Sequence, residues 1–195
     1  MARRDLNHSV VFLTGEHNAS KKLAEAIGNY LNQAQYKALV IGTGTILNEW
    51  GPRQAGSLGR AAQGCTHSRF SIRCSLINRL TDAWIKSTIQ NEKEFALIHG
   101  APRTPEQARF FAGFHPIFFE VIPATRRIDQ EKYHSATARE IRTFGACKPG
   151  HFKQVQVIED VELLVPKLTD DILSCFGYKK DPNKQMVSAK VLATA

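Results

Sequence analysis

The chain has 195 residues, of which 43% are hydrophobic, so it is long enough to bury one substantial core and we expect one domain. Its formal net charge of +8 and its pI near 9.5 predict affinity for polyanions, which include nucleotides, RNA, DNA and acidic protein surfaces. No apolar run reaches the roughly 18 residues of a membrane-spanning helix, and the first ten residues lack the apolar stretch of a secretory signal. We therefore expect no membrane partner and no secretion, with the cytoplasm and an organelle interior such as the mitochondrial matrix as alternative locations.

The four cysteines are scattered, with no CxxC pair and no histidine at metal-ligand spacing: Cys65, Cys74, Cys147 and Cys175. This spacing predicts four reduced thiols rather than a zinc site or a disulfide framework.

Short apolar runs with β propensity recur along the chain, at residues 9–14, 36–41, 95–98, 117–122 and 154–158. Segments with helical periodicity lie between most of these runs. This alternation predicts an α/β domain of three layers, with a central parallel sheet of about five strands flanked by helices.

Four helices are predicted from their apolar spacing or their caps. The first has Leu23, Ile27 and Leu31 on one face, the second spans residues 75–90, and the last follows residues 159–160. Another begins at Thr104, where Thr-Pro-Glu-Gln supplies an N-cap, a proline at the first helical position and Gln107 as the second capping residue.

Two stretches lack a clear periodicity. Residues 42–71 are rich in Gly, Arg and Gln, and we expect an irregular insertion that acts as an acceptor-side loop or lid. Residues 177–195 carry several lysines and are predicted to be a basic C-terminal extension to a single domain of residues 1–176.

The sequence VVFLTGEHNASKKL, residues 10–23, has the order of a strand, a phosphate-binding loop and a helix. Gly15 and Lys21 have the spacing of the pattern G-x-x-x-x-G-K-[ST], in which helix N–H groups and the lysine bind phosphates. Ser20 replaces the second glycine, Lys22 replaces the hydroxyl residue that binds Mg²⁺, and Glu16 adds a negative charge. The alternative is a plain strand-turn-helix connection whose lysines form a solvated first turn.

A second motif, ALIHGAPRTPEQARFF at residues 96–111, resembles nucleoside monophosphate kinases, which have Asp-Gly-Phe-Pro-Arg-Thr followed by Gln-Ala after a core strand. The matching residues are Gly100, Pro102, Arg103, Thr104, Gln107 and Ala108. ALVIGTGTILNEW, with Thr43, Gly44 and Leu47, and IFFEVIPATRR also resemble segments of that family. The interval from Arg103 to Arg126 is shorter than in adenylate kinases and looks closer to that of phage deoxynucleotide kinases, phosphomevalonate kinases and dephospho-CoA kinases. The resemblance implies a three-layer P-loop NTPase fold with a degenerate phosphate loop.

The resemblance also implies roles for individual residues, with ATP as the phosphate donor. Arg103 would hold the acceptor phosphate, Gln107 would read the acceptor base, and Lys21 would bridge the donor phosphates. Arg126 or Arg127 would stabilise the transferred phosphoryl group. The nucleotide-binding set would be Gly15, Ser20, Lys21, Lys22, Thr43, Gly44 and Gln107.

Other positions depart from the family. His99 replaces the aspartate that orients Mg²⁺, Thr45 replaces a second aspartate, and Asn48 replaces an acceptor-binding arginine. These losses leave Mg²⁺ without its usual ligands, and we predict no metal site. For His99 itself, a hydrogen-bonded histidine at a strand end is expected rather than a general base.

Two functions follow from these observations. The first is a kinase-like protein that binds nucleotide phosphates, with weak or lost phosphotransfer. The alternative is a catalytically inactive kinase-fold homologue that acts as a structural or RNA-associated subunit of a larger ribonucleoprotein complex. The altered positions are neighbours in the inferred site, which favours lost metal chemistry.

Overall fold

A computed structural model describes residues 9–67, 74–91, 93–123, 131–157 and 161–178. The strands are β1 (Ser9–Gly15), β2 (Lys37–Gly42), β3 (Glu94–His99), β4 (Ile117–Pro123) and β5 (Phe152–Val157). The α-helices are α1 (His17–Gln33), α2 (Thr43–Thr45), α3 (Gly56–His67), α4 (Cys74–Thr88), α5 (Pro105–Ala112), α6 (Glu131–Cys147) and α7 (Val165–Cys175). A π-helical turn (Ile46–Trp50) and 3-10 turns (Gly51–Arg53 and Val161–Leu163) complete the helical elements.

The five strands form one parallel sheet in the order β2-β3-β1-β4-β5. Successive residues of β1 point to opposite faces: Val11 and Leu13 join a core with α1 and α7, and Val10 and Phe12 join a core with α4 and α5. Because helices cover both faces, β1 is a continuous apolar run rather than an alternating one. The predicted three-layer α/β fold with a parallel sheet is confirmed.

The prediction that residues 42–71 form an irregular insertion is wrong for residues 43–67, which are almost entirely helical. Two of the glycines that suggested a loop, Gly51 and Gly59, instead allow close packing. A Cβ on Gly59 would lie 1.8 Å from the carbonyl oxygen of Gln54, so α3 can pack against the preceding turn only if this position is glycine. Ile46 and Leu47 are buried in the core on the α4 side of the sheet.

The sequence prediction did not include α6. Few of its residues that the structure describes are both apolar and buried, with Ala138 and Ile141 facing the core. A helix with so narrow an apolar face has a weak periodic signal. The last predicted helix begins at Val165, after the 3-10 turn, rather than directly after residue 160.

The predicted boundary, with the extension starting at residue 177, is two residues too early, because Tyr178 packs against the domain. Its ring lies 5.5 Å from the ring of Tyr36 and 5.4 Å from that of Phe95. The rest of the predicted extension, residues 179–195, lies outside the described residues.

None of the four cysteines, all of which lie in the described residues, forms a disulfide bond. Among the residues that the structure describes, no helix has both the length and the apolar content needed to cross a membrane.

Candidate functional site

The carboxyl ends of three neighbouring strands form the candidate site. β2, β3 and β1 are adjacent and parallel, so Gly42, His99 and Gly15 end their strands at the same edge of the sheet. Ligands of open α/β sheets bind at this edge, where the strands deliver the chain to helix N-termini. The structure thus brings the two sequence motifs together.

The junction between β1 and α1 requires glycine. Gly15 has a φ of +123°, and a Cβ at this position would lie 2.1 Å from the carbonyl oxygen of Val121. The helix then begins at His17, with Glu16 as its N-cap. Residues 17–22 are therefore the first turns of α1, and the phosphate loop predicted for residues 15–22 is not formed.

Glu16 occupies the N-terminus of α1 with its own carboxylate. Its Oε1 accepts a hydrogen bond from the backbone N–H of Asn18 at 3.1 Å, and its Oε2 accepts one from that of Ala19 at 2.6 Å. A negative charge is favoured here by the helix dipole and by the unpaired N–H groups of the first turn. The carboxylate thus takes the position that a bound phosphate would need.

The remaining loop residues are helical too. Ser20 is buried, and its hydroxyl donates a hydrogen bond to the carbonyl oxygen of His17 at 3.0 Å. Lys21 is 51% exposed on the second turn, with its Nζ 3.8 Å from Oε1 of Glu25, and Lys22 beside it is also exposed. The two lysines are therefore solvated helix residues, as in the alternative interpretation of this motif.

The residues present do not fit Mg²⁺. The hydroxyl of Ser20 is buried and already bonded, and Lys22 and His99 offer no carboxylate at the positions where the kinase family binds the ion. Among the described residues, no group of three or more His, Cys, Asp and Glu side chains is arranged to hold a metal.

His99 is only 7% exposed, and its ring lies against the backbone of Gly42. A Cβ on Gly42 would lie 2.7 Å from Cε1 of His99. Its Nδ1 has no hydrogen-bond partner, so the expectation of a hydrogen-bonded histidine is wrong for this atom. Burial lowers the pKa of His99, the nearby His17 and Lys21 lower it further, and Glu25 opposes them. Burial therefore favours the neutral ring, and neither form of a histidine supplies the negative charge of an aspartate.

On the other side of the site, two side chains converge on the carbonyl oxygen of Gly100. It accepts hydrogen bonds from Oγ1 of Thr43 at 3.2 Å and from Nε of Arg103 at 2.9 Å. Gly100 has a φ of +79°, and a Cβ there would lie 3.2 Å from Oγ1 of Thr43 and 3.6 Å from Nη2 of Arg103. The absent side chain leaves a niche between the hydroxyl and the guanidinium, and a Cβ on nearby Gly44 would meet open space.

Gln107 forms the predicted cap of α5. Its backbone N–H donates to Oγ1 of Thr104 at 3.2 Å, and its side-chain Oε1 accepts from the backbone N–H of Arg103 at 2.7 Å. The residue is only 6% exposed. The structure therefore assigns Gln107 to the cap, in contrast to the predicted role of reading an acceptor base.

Two threonines that the sequence prediction missed hold the segment around Arg103. Oγ1 of Thr14 donates to the carbonyl oxygen of Pro102 at 2.8 Å, and Oγ1 of Thr137 donates to that of Arg103 at 3.0 Å. These partners are 88 and 34 positions apart in the chain, so no local pattern could reveal them. Arg126 and Arg127 lie outside the described residues, and their predicted roles stay predictions.

Comparisons of the chain with protein-family models and with curated proteins give no match. The resemblance to nucleoside monophosphate kinases therefore depends on the sequence motifs.

Proposed function

We propose that this protein has a kinase-like fold and binds a nucleotide phosphate beside Arg103 without transferring phosphoryl groups from ATP and Mg²⁺. The observation that carries the proposal is the carboxylate of Glu16 on the first-turn N–H groups of α1. That position is needed for the donor phosphates of a P-loop kinase, and here it is filled by the chain itself.

The charge of Glu16 opposes a donor phosphate directly. Two unit negative charges about 4 Å apart repel by about 4 kcal/mol at the effective dielectric constant of a protein surface. Phosphoryl transfer depends on positioning and on neutralising charge, mostly by the metal and by backbone N–H groups. Because Glu16 takes two N–H groups and the metal ligands are absent from their usual positions, both contributions are weakened.

Phosphate binding remains supported on the side of Arg103. Its Nε is held by Gly100 while its side chain is exposed, so the two Nη groups are available to a ligand. A guanidinium donates paired hydrogen bonds to phosphate oxygens, and the hydroxyl of Thr43 lies across the niche. A nucleoside monophosphate carries the phosphate group that this guanidinium would bind.

Calorimetric titration with a panel of nucleoside monophosphates tests the binding. Arg103→Ala is expected to weaken binding by about tenfold or more, since a hydrogen bond to a charged group contributes about 1.5–3 kcal/mol. Arg109→Ala is the matched control, because Arg109 is an exposed arginine of α5, the helix that follows Arg103, and it pairs with Glu140. Failure of the protein to bind any monophosphate, or equal affinities of the two variants, contradicts the proposal.

The absence of phosphotransfer is tested separately. With ATP and Mg²⁺ over the same panel, the protein and its Lys21→Ala variant are both expected to give only the background rate. A rate above background that Lys21→Ala abolishes would establish a kinase and overturn this part of the proposal.

The charge favours a second candidate, a structural or RNA-associated subunit of a ribonucleoprotein complex. A net charge of +8 on 195 residues gives a non-specific attraction to nucleic acid that weakens with salt. Native purification at low salt is expected to yield a large complex that contains RNA and dissociates as salt is raised. Recovery of an RNA-free monomer at low salt would count against this candidate.

A further inference from the structure

Residues 50–81 contain five arginines and no lysine, aspartate or glutamate: Arg53, Arg60, Arg69, Arg73 and Arg79. The flanking acidic residues are Glu49 and Asp82. Five arginines without an acidic residue or a lysine between them give this stretch a net positive charge. Arg69 and Arg73 lie outside the described residues.

Within the described part of this stretch, the turn at Gly51 contacts both α3 and α4. A Cβ on Gly51 would lie 3.0 Å from Cβ of Ala62 in α3 and 3.1 Å from Cδ2 of Leu80 in α4. The approach of Gly59 to Gln54 joins α3 to the same turn. The turn, α3 and α4 therefore meet within a few residues of one another.

This packing brings the backbones of three described arginines near one another. Arg53 adjoins Gln54, Arg60 adjoins Gly59, and Arg79 adjoins Leu80, so all three backbones lie near the same contact. Each side chain is exposed. We call Arg53, Arg60 and Arg79 the arginine corner.

The charges of the arginine corner are not compensated by the described residues. No ion pair or hydrogen bond joins any of its three side chains to the part of the chain that the structure describes. Several basic residues elsewhere do pair with carboxylates, as in Lys37–Glu94, Lys86–Asp82, Arg109–Glu140, Arg142–Glu120 and Lys153–Asp171. The three arginines therefore give the corner a local excess of positive charge.

We infer that the arginine corner binds single-stranded RNA, an inference that rests on the RNA-associated function proposed above. Guanidinium groups donate in pairs to phosphates and also stack on unpaired bases, which an ammonium does less well. The half-buried Trp50 precedes Gly51 in the chain, but it packs against the core on the α4 side of the sheet, so the three guanidinium groups carry the inference. Guanidinium planes that stack on bases favour a ligand with exposed bases over a duplex or an acidic peptide.

The experiment measures binding of a labelled oligouridylate to the full chain by fluorescence anisotropy over a range of salt concentrations. The variant Arg53→Gln/Arg60→Gln/Arg79→Gln is expected to weaken binding at least tenfold at low salt. It should also reduce the slope of log K against log salt by about 2, because each lost phosphate contact on a single strand contributes about 0.7.

The control is the variant Lys93→Gln/Arg139→Gln/Lys167→Gln, which has the same change in charge at three exposed basic residues outside the corner. It is expected to weaken RNA binding less than the corner variant does, and to retain most of the slope of log K against log salt. Melting temperatures of both variants check folding, and the three single corner variants repeat the measurement if the triple variant is unstable.

The possible outcomes distinguish failure of the arginine corner from failure of the RNA-associated function. RNA binding that both triple variants weaken equally overturns the arginine corner and leaves the RNA-associated function in place. No binding of oligouridylate by the unmodified protein overturns both. Tighter binding of duplex RNA or of polyglutamate than of oligouridylate overturns the choice of ligand.

Discussion

At the scale of single residues, the chemistry of the site depends on where one carboxylate points. Glu16 is the first residue after Gly15, and the sequence pattern places it inside a phosphate loop, where its charge would repel a ligand. In the structure it caps α1 through Asn18 and Ala19. The negative charge of Glu16 would repel phosphate in a loop, but here it stabilises the N-terminus of α1, which begins at His17.

Replacing this carboxylate tests that account. Glu16→Ala is expected to lower the free energy of unfolding by about 1 kcal/mol, because the N-cap is lost. It also frees two N–H groups for anions, so added phosphate should raise the melting temperature of the variant more than that of the unmodified protein. Urea unfolding and thermal melts with and without phosphate measure the two effects.

Glu25→Ala is the matched control, since Glu25 is an exposed glutamate of the same helix without a capping role. It should reproduce neither effect. Equal stabilisation of all three proteins by phosphate would show that Glu16 does not block the site.

At the scale of elements, one buried carboxylate joins three segments of the chain. Glu94 begins β3, and its carboxylate accepts from Nζ of Lys37 in β2 at 2.8 Å. It also accepts from the backbone N–H groups of Gln90 at 2.6 Å and of Asn91 at 3.1 Å, after the end of α4. These contacts fix the entry of the chain into the sheet.

The same contacts predict a pH dependence of stability. The hydrogen bonds from Lys37 and Gln90 lower the pKa of Glu94 from 4.5 to about 2. Because the folded pKa lies below the unfolded value, the contribution of Glu94 is present above pH 4.5 and is lost as the pH falls towards 2. Urea unfolding from pH 7 to pH 2 should show a smaller loss of stability in this acidic range for Glu94→Gln.

Glu106→Gln serves as the control, because Glu106 is an exposed carboxylate at the start of α5. It should retain the acid-induced loss that Glu94 causes. Parallel pH profiles for Glu94→Gln and the unmodified protein would contradict the assignment.

At the scale of the whole molecule, β1 connects the two cores and should make them unfold together. Phe12 stacks on Phe111 with ring centroids 4.5 Å apart, and Leu13 is fully buried on the other face. Phe12→Ala and Leu13→Ala are each expected to lower the free energy of unfolding by about 3 kcal/mol.

Both tryptophans, Trp50 and Trp84, lie in or against the core that contains Phe12. If the domain is one cooperative unit, Leu13→Ala should shift the tryptophan fluorescence and the far-UV circular dichroism transitions equally. Leu163→Ala, at a side chain that is 74% exposed, should shift neither. A dichroism transition that moves without the fluorescence transition would show that the two cores unfold separately.

Features that depend on neighbours along the chain were predictable from the sequence. Runs with β propensity predicted all five strands. β1 and β3 are buried almost throughout, as expected for strands covered on both faces, whereas the edge strand β5 alternates exposed Gln154 and Gln156 with buried Val155. The cap at Thr104 and Gln107 was predictable, since its partners are three residues apart. The same local reasoning failed for residues 43–67, where Gly51 and Gly59 allow helical segments to pack closely.

The chemistry available to the candidate site depends on contacts that form only on folding. The pattern from Gly15 to Lys21 matches a phosphate loop, yet α1 begins at His17 and Glu16 caps it. The glycine at residue 15 is required by the carbonyl oxygen of Val121 on β4, more than a hundred positions away. Likewise, the burial of His99 depends on β2 and α1 lying beside β3. Such contacts join residues distant in the chain, so they exist only once the sheet has assembled.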